Sequence, residues 1–241
     1  MYVRSQNFST ATASAGSLFV DDNNNVFMQS QPYDGPDYSF KPLIRGGMIE
    51  YDIDMSWNDC GCVSSFYLVA NDNLFCHQDA MSNDNVECPT IDVMQANNYG
   101  FQTGINPCSN GTCDAISQCM YDMREEGAAT YGADSYGPGG SLINTYATFH
   151  VKTEFLSTAN YASMWGMRTR ISQGGNEIVM EANCGDYFGD LSNVIEGGMS
   201  LVFSSWDNRD GMGADFENDQ CTEPRPDCDY AYSTFSNLSI Q

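Results

Sequence analysis

This sequence predicts an all-β sandwich, on three observations. Short β-rich runs bounded by Gly, Asn and Asp recur along its 241 residues, a single segment has helical character, and ten cysteines offer cross-links of the kind used by secreted domains. The runs fall at residues 18–20, 26–30, 47–56, 65–70, 90–96, 147–155, 164–172, 177–182, 199–206 and 232–240. Many strands with little helix indicate two packed sheets. Asp21-Asp22-Asn23-Asn24-Asn25 and Gln173-Gly174-Gly175-Asn176 have the composition of hairpin turns. Residues 114–126, with Asp114 as N-cap, are the one predicted helix. No Pro- or Ser-rich linker interrupts the chain, so residues 1–241 are expected to form a single domain.

Composition excludes several partners. With 41% hydrophobic and only 17% charged residues the chain can bury a core and should be folded throughout. Nine Lys and Arg against 32 Asp and Glu leave a net charge of -23, which repels nucleic acid and anionic membrane surfaces. The same field disfavours polyanionic glycans, so a neutral polysaccharide is the expected ligand class. The even cysteine count and the sequons at Asn7, Asn110 and Asn237 point to an oxidising, secreted setting with N-glycosylation. No apolar stretch approaches a membrane span, and residues 1–16 lack a signal-peptide core, so the sequence reads as a mature domain.

The most informative stretch is Thr90-Ile91-Asp92-Val93-Met94-Gln95-Ala96-Asn97. It resembles the Glu-x-Asp-x-x-Glu-Ala-Asn signature of glycoside hydrolase family 7 cellulases, with Thr90 and Gln95 in place of the two glutamates and Asp92 retained. Other segments are similar in the same order: Asp52-Ile53-Asp54-Met55-Ser56, Cys60-Gly61, Phe66-Tyr67-Leu68-Val69, Asn106-Pro107-Cys108, Tyr136-Gly137-Pro138-Gly139, Ser205-Trp206-Asp207 and Thr234-Phe235-Ser236-Asn237. The resemblance spans roughly residues 40 to 241, which outweighs any single motif. It implies a concanavalin A-like β-jelly-roll sandwich of two antiparallel sheets, rich in disulfides. Because the chain is much shorter than a typical member, it also implies that the long loops roofing the family's cellulose tunnel are largely absent.

In that family the first Glu is the nucleophile, the Asp its hydrogen-bonded helper and the last Glu the general acid and base. Thr90 and Gln95 can perform neither carboxylate role, since retaining hydrolysis needs two carboxyl groups about 5 to 5.5 Å apart. Gln for Glu is also a swap made to trap substrates, but Thr90 is no isostere of Glu and favours natural divergence. The resemblance further implies disulfides Cys76–Cys88, Cys108–Cys113 and Cys119–Cys184. It leaves one of Cys60 and Cys62 to tie to one of Cys221 and Cys228. Zinc held by Cys60 and Cys62 is the disfavoured alternative, and no metal or cofactor is expected.

Glycan binding needs aromatic platforms. Trp206 stands where the family has a sugar-stacking tryptophan, and Tyr67 where a tyrosine lies beside the nucleophile; core packing is the competing reading for both. Trp57 and Trp165 have no family role and are expected in core or edge packing. A rearranged hydrolase would need other carboxylates, and Glu177 and Glu181 share a strand face about 13 Å apart, long for either hydrolytic geometry. A lyase would use a His or Tyr base with Arg168 or Arg170, but His77 and His150 are isolated and the charge balance opposes a uronate substrate. The acidic runs at 21–22 and 207–219 suit calcium or, more commonly, solvated turns. The expected function is therefore a degenerate secreted relative that binds neutral β-glucan through Trp206, Tyr67, Asp92 and Gln95, or that self-assembles as an extracellular structural component.

Overall fold

The computed structural model describes residues 2–5, 12–14, 16–21, 24–29, 46–70, 89–106, 119–123, 131–132, 134–158, 164–183, 199–207 and 228–241. These contain, in chain order, β1 (Tyr2–Ser5), β2 (Thr12–Ser14), β3 (Ser17–Asp21), β4 (Asn24–Gln29), β5 (Met48–Asp54), β6 (Cys62–Ala70), β7 (Thr90–Ala96) and β8 (Phe101–Asn106). They continue with β9 (Cys119–Asp122), β10 (Tyr136–Gly137), β11 (Ile143–Asn144), β12 (Phe149–Ser157), β13 (Met164–Gln173), β14 (Asn176–Ala182), β15 (Met199–Asp207) and β16 (Tyr232–Ile240). A first seven-stranded sheet has the order β1-β4-β15-β6-β7-β8-β9 and a second has β14-β13-β12-β5-β16-β3-β2. Every neighbouring pair in both sheets is antiparallel, while β10 and β11 form a small parallel pair.

The core lies between the sheets because alternation along the strands sends apolar residues inward. In β5, Ile49, Tyr51 and Ile53 are buried, and in β12 Phe149, Val151 and Phe155 are. Four rings join the sheets at the centre: Phe66 stacks on Phe203 at 4.2 Å, Phe203 meets Phe235 edge-on at 4.8 Å, and Tyr51 meets Phe66 edge-on at 5.3 Å. Burial pushes the Tyr51 phenol well above its usual pKa, so it stays protonated there.

Two turn expectations meet different outcomes. Gly174 and Gly175, at φ 59° and 92°, close the β13–β14 hairpin between the paired residues Gln173 and Asn176, as their composition predicts. The hairpin expected at 21–25 is corrected by the strands on either side: β3 belongs to the second sheet and β4 to the first, so the two do not pair with each other. The helix expected over 114–126 is likewise corrected. Within its described part, residues 119–123, Cys119–Asp122 form β9, paired from Ile105↔Cys119 to Gln102↔Asp122. Cys119 and Asp122 are buried there, so pairing and packing override local helix preference.

β8 and β9 approach closely at Gly104. A Cβ there would lie 2.1 Å from the Cys119 carbonyl oxygen and 2.7 Å from Met120 Cα. Because backbone atoms are what it would meet, Gly104→Ala should lower stability by about 2 kcal/mol or more in urea melts. A midpoint unchanged from wild type would show that β9 can move away freely.

Candidate functional site

β7 is buried on both faces, and one extra residue determines which side chains share a face. Phe66 and Tyr67 of β6 oppose Met94 and Asp92, while Asp92 and Gln95 oppose Gly104 and Gln102 of β8. Val93 is therefore a bulge relative to both neighbouring strands. Ile91, Val93, Met94 and Ala96 join the core between the sheets. Thr90, Asp92 and Gln95 accordingly line the outer face together, although Asp92 and Gln95 are three residues apart and regular alternation would separate them.

The bulge is held from inside by a chain of hydroxyls. Thr103 Oγ1 donates to the carbonyls of Asp92 (3.0 Å) and Val93 (3.2 Å), and it lies 3.3 Å from Thr169 Oγ1, itself 3.0 Å from Thr153 Oγ1. Each hydroxyl has one proton, so Thr103 donating to the bulge leaves Thr169 to donate to Thr103 and Thr153 to donate to Thr169. The second sheet thereby braces the outer-face geometry of the first.

On the outer face the polar groups are already matched to one another. Gln102 Nε2 donates to Gln95 Oε1 at 2.6 Å, and Gln95 Nε2 donates to Asp92 Oδ2 at 3.1 Å. The same row continues across β6 and β15 through Ser65 and Ser204, whose hydroxyls are 2.7 Å apart. Tyr67, paired with Asp92, packs with Val69 and Val202 and is 5% exposed. Thr90 (1%) and Asp92 (0%) are buried, whereas Gln95 and Gln102 are half-buried. Trp206 is also half-buried, seated against Val63 one row further along the strands. The less buried part of this row is thus the Gln95–Gln102–Trp206 end, whereas Thr90, Asp92 and Tyr67 are buried. This array can donate and accept hydrogen bonds and stack a ring; Gln95 and Thr90 can supply neither an acidic proton nor a carboxylate nucleophile.

The other candidates lie elsewhere. Glu177 and Glu181 are on β14, in the second sheet, and each is held by an arginine of β13: Glu177 by Arg170 at 2.9 Å and Glu181 by Arg168 at 2.9 Å. Arg170 also bonds Glu154 at 3.2 Å, and that hydrogen bond is the main cause of its raised pKa. His150 Nδ1 is 2.7 Å from Asp52 Oδ1. These groups share the outward, half-exposed face of the second sheet in a lattice of ion pairs, so none of them meets Asp92 or Gln95. Trp165, half-buried on β13, donates to the Ser157 carbonyl of β12 at 3.2 Å. Trp57 corrects its expectation of core or edge packing, since it is 59% exposed.

Cys62 pairs with Cys228, one of the links the resemblance left open. Cys60 and Cys119 are also disulfide-bonded, which removes the thiolates that a Cys60/Cys62 zinc site would need. Cys76, Cys88, Cys108, Cys113, Cys184 and Cys221 lie outside the described residues, as do His77, Asn7 and Asn110. Asn237 is exposed at a bulge in β16, with φ 53°, and its Nδ2 donates to Asp52 Oδ2 at 2.6 Å.

No protein-family model and no curated protein matches the chain. Solved structures do. An endoglucanase I in complex with cellobiose superposes with a TM-score of 0.66 at 14% identity, over 95% of this chain and 77% of that one. A family 7 cellobiohydrolase from Daphnia pulex gives 0.67 at 14% identity, over 95% and 78%. A cellobiohydrolase from Melanocarpus albomyces in complex with cellotetraose gives 0.65 at 16% identity, again over 95% and 78%. The chain has the glycoside hydrolase family 7 fold. At these identities it is the fold that is shared, and side-chain roles have to be argued from this chain's own residues.

Within the family 7 fold, β7 was anticipated residue for residue, but the groups around it were not. β8 went unpredicted, and with it Gln102, which holds the Gln95 amide, and Thr103, which holds the bulge. A signal was present: Phe101, Thr103 and Ile105 alternate with Gln102, Gly104 and Asn106 directly after the turn residues Asn98-Tyr99-Gly100.

Proposed function

We propose that this chain is a secreted, non-hydrolysing relative of the family 7 glycanases that binds a neutral β-glucan at the Gln95–Gln102–Trp206 end of the first sheet. The observation that carries the reading is the directed relay Gln102 to Gln95 to Asp92, in which a neutral amide occupies the acid–base position and is committed at both ends. An amide there can meet sugar hydroxyls but cannot protonate a leaving oxygen. Half-buried Trp206 would supply the ring face, and the net charge of -23 is compatible with an uncharged ligand. The disulfides and the exposed sequon at Asn237 support the extracellular assignment.

Purified protein should release no reducing sugar from cellulose or soluble β-1,4-glucans. Cellohexaose should bind with little dependence on salt, and Trp206→Ala should weaken it by about 1 to 3 kcal/mol, on the scale of other aromatic stacking platforms. Hydrolysis that survives purification, or calorimetry without heat, contradicts the reading. Burial of Thr90, Asp92 and Tyr67 favours a second one, in which the fold serves as an extracellular structural component; absence of glucan binding together with concentration-dependent assembly would support it.

A further inference from the structure

Among the described residues, the exposed large hydrophobic side chains are Trp57 (59%), Tyr146 (57%) and Tyr230 (83%), and all three are aromatic. They sit at one end of the sandwich. The turn bearing Trp57 is tied to the β7–β8 turn by Asn98 N donating to the Asn58 carbonyl at 2.8 Å, and Thr145, next to Tyr146, donates through Oγ1 to the Asn98 carbonyl at 3.1 Å. Tyr230 projects from the turn closed by Ala231 N and the Cys228 carbonyl at 2.8 Å, immediately before Tyr232. Tyr232 stacks on Trp57 with centroids 5.8 Å apart and planes 22° from parallel, and Phe19 packs behind Tyr232 at 4.7 Å. The indole is therefore backed on one face by two further rings while more than half of its surface stays in solvent.

We propose that this end is a second glycan platform, on which the open side of Trp57 takes the ring face of a neutral polysaccharide and the flanking polar groups take its hydroxyls. The surface has the two-sided character of a pyranose, with apolar C–H on one face and hydroxyls at the rim. Asp59 is exposed beside Trp57, and its carboxylate is fixed by Cys60 N at 2.8 Å and by a hydrogen bond with the Tyr99 side chain. Charge selects the ligand. The cations whose side chains are described, Lys152, Arg168 and Arg170, are in ion pairs on the outward face of the second sheet, while exposed Asp59 and Asp229 lie at the aromatic end. Phosphate, uronate and sulfate polymers would meet repulsion there, and an uncharged chain would not. The absence of exposed aliphatic side chains, in this set, argues against a protein-docking face, whose core would be expected to mix the two.

A buried disulfide ties the platform to the glucan-binding end of the first sheet. Asp207, next to Trp206, pairs with Cys62, which is bonded to Cys228 two residues before Tyr230. The inference extends the glucan-binding reading to a separate surface, and the two can fail separately. Depletion isotherms on microcrystalline cellulose and calorimetry with cellohexaose would be compared for wild type, Trp57→Ala, Tyr230→Ala and Trp206→Ala. Trp57→Ala should weaken cellulose binding at least about fivefold while leaving the cellohexaose heat unchanged. Tyr230→Ala, at a position 83% exposed and free of core packing, should weaken it in the same direction and covers the case in which Trp57→Ala disturbs the fold. Wild-type cellulose binding by both variants, or no cellulose binding by wild type, overturns the platform; a retained cellohexaose heat sensitive to Trp206→Ala would leave the first reading standing. Loss of self-association instead of cellulose binding in Trp57→Ala would make the surface a protein interface and also overturn it.

Discussion

Thr90→Glu should destabilise the protein by about 3 kcal/mol or more, and combining it with Gln95→Glu should not create a hydrolase. Position 90 is 1% exposed, between Val69 of β6 and Asn106 of β8, and Asp92, on the same face about 7 Å along the strand, is 0% exposed. A carboxylate introduced there loses its water and gains a like charge as neighbour; it must either remain protonated or force the strands apart. Gln95→Glu alone should cost less, about 1 to 3 kcal/mol: position 95 is half-buried and Gln102 Nε2 remains to donate to it, but the amide that donates to buried Asp92 Oδ2 at 3.1 Å is replaced by a carboxylate oxygen. Urea melts of the two single variants and reducing-sugar assays of the double variant test this. A double variant that is as stable as wild type and cleaves cello-oligosaccharides would mean that the nucleophile's pocket is still open to solvent and substrate.

Replacing Cys62 and Cys228 by Ser should cost about 3 to 5 kcal/mol, because the bridge closes a loop with a sequence separation of 166 residues. It also ties β6 of the first sheet to the chain entering β16 of the second, where Cys62, Cys228 and Ala231 form a small apolar cluster. Loss of the bridge should loosen the end bearing Trp57 and Trp206 first, so tryptophan fluorescence should change at lower urea than far-ultraviolet circular dichroism. Coincident transitions with an unchanged midpoint would falsify the assignment of this bridge as a main support of the sandwich.

The strands that read clearly in the sequence are those with one wet face. In β5, β12 and β13 alternation of apolar and polar residues survives in the burial pattern, so period alone located them. β9 was misread because the surrounding segment favours helix locally, while Cys119, Met120, Tyr121 and Asp122 owe their extended form to pairing with β8. The 21–25 segment was misread for a related reason: turn composition marks where the chain bends, but not whether the next strand joins the same sheet. At the site, Thr90, Asp92 and Gln95 were legible through their resemblance to a family signature, whereas burial of Thr90 and the locking of Gln95 by Gln102 depend on neighbours distant in sequence or on an unpredicted strand. Trp57 was misplaced since an exposed indole leaves no trace in composition.

The Val93 bulge acts as a frameshift within β7. Upstream of it, even-numbered residues 90 and 92 face outward; downstream, the odd-numbered residue 95 does. Deleting Val93 would therefore leave both halves in phase with β6 and β8, with Ile91, Met94 and Ala96 still inward and Thr90, Asp92 and Gln95 still outward; its cost would be a buried side chain lost from the core. Deleting a residue elsewhere in the strand has the opposite effect, because it puts one half out of phase and turns its apolar side chains to the outer face. Length changes in this strand are thus tolerated at one position and not at its neighbours.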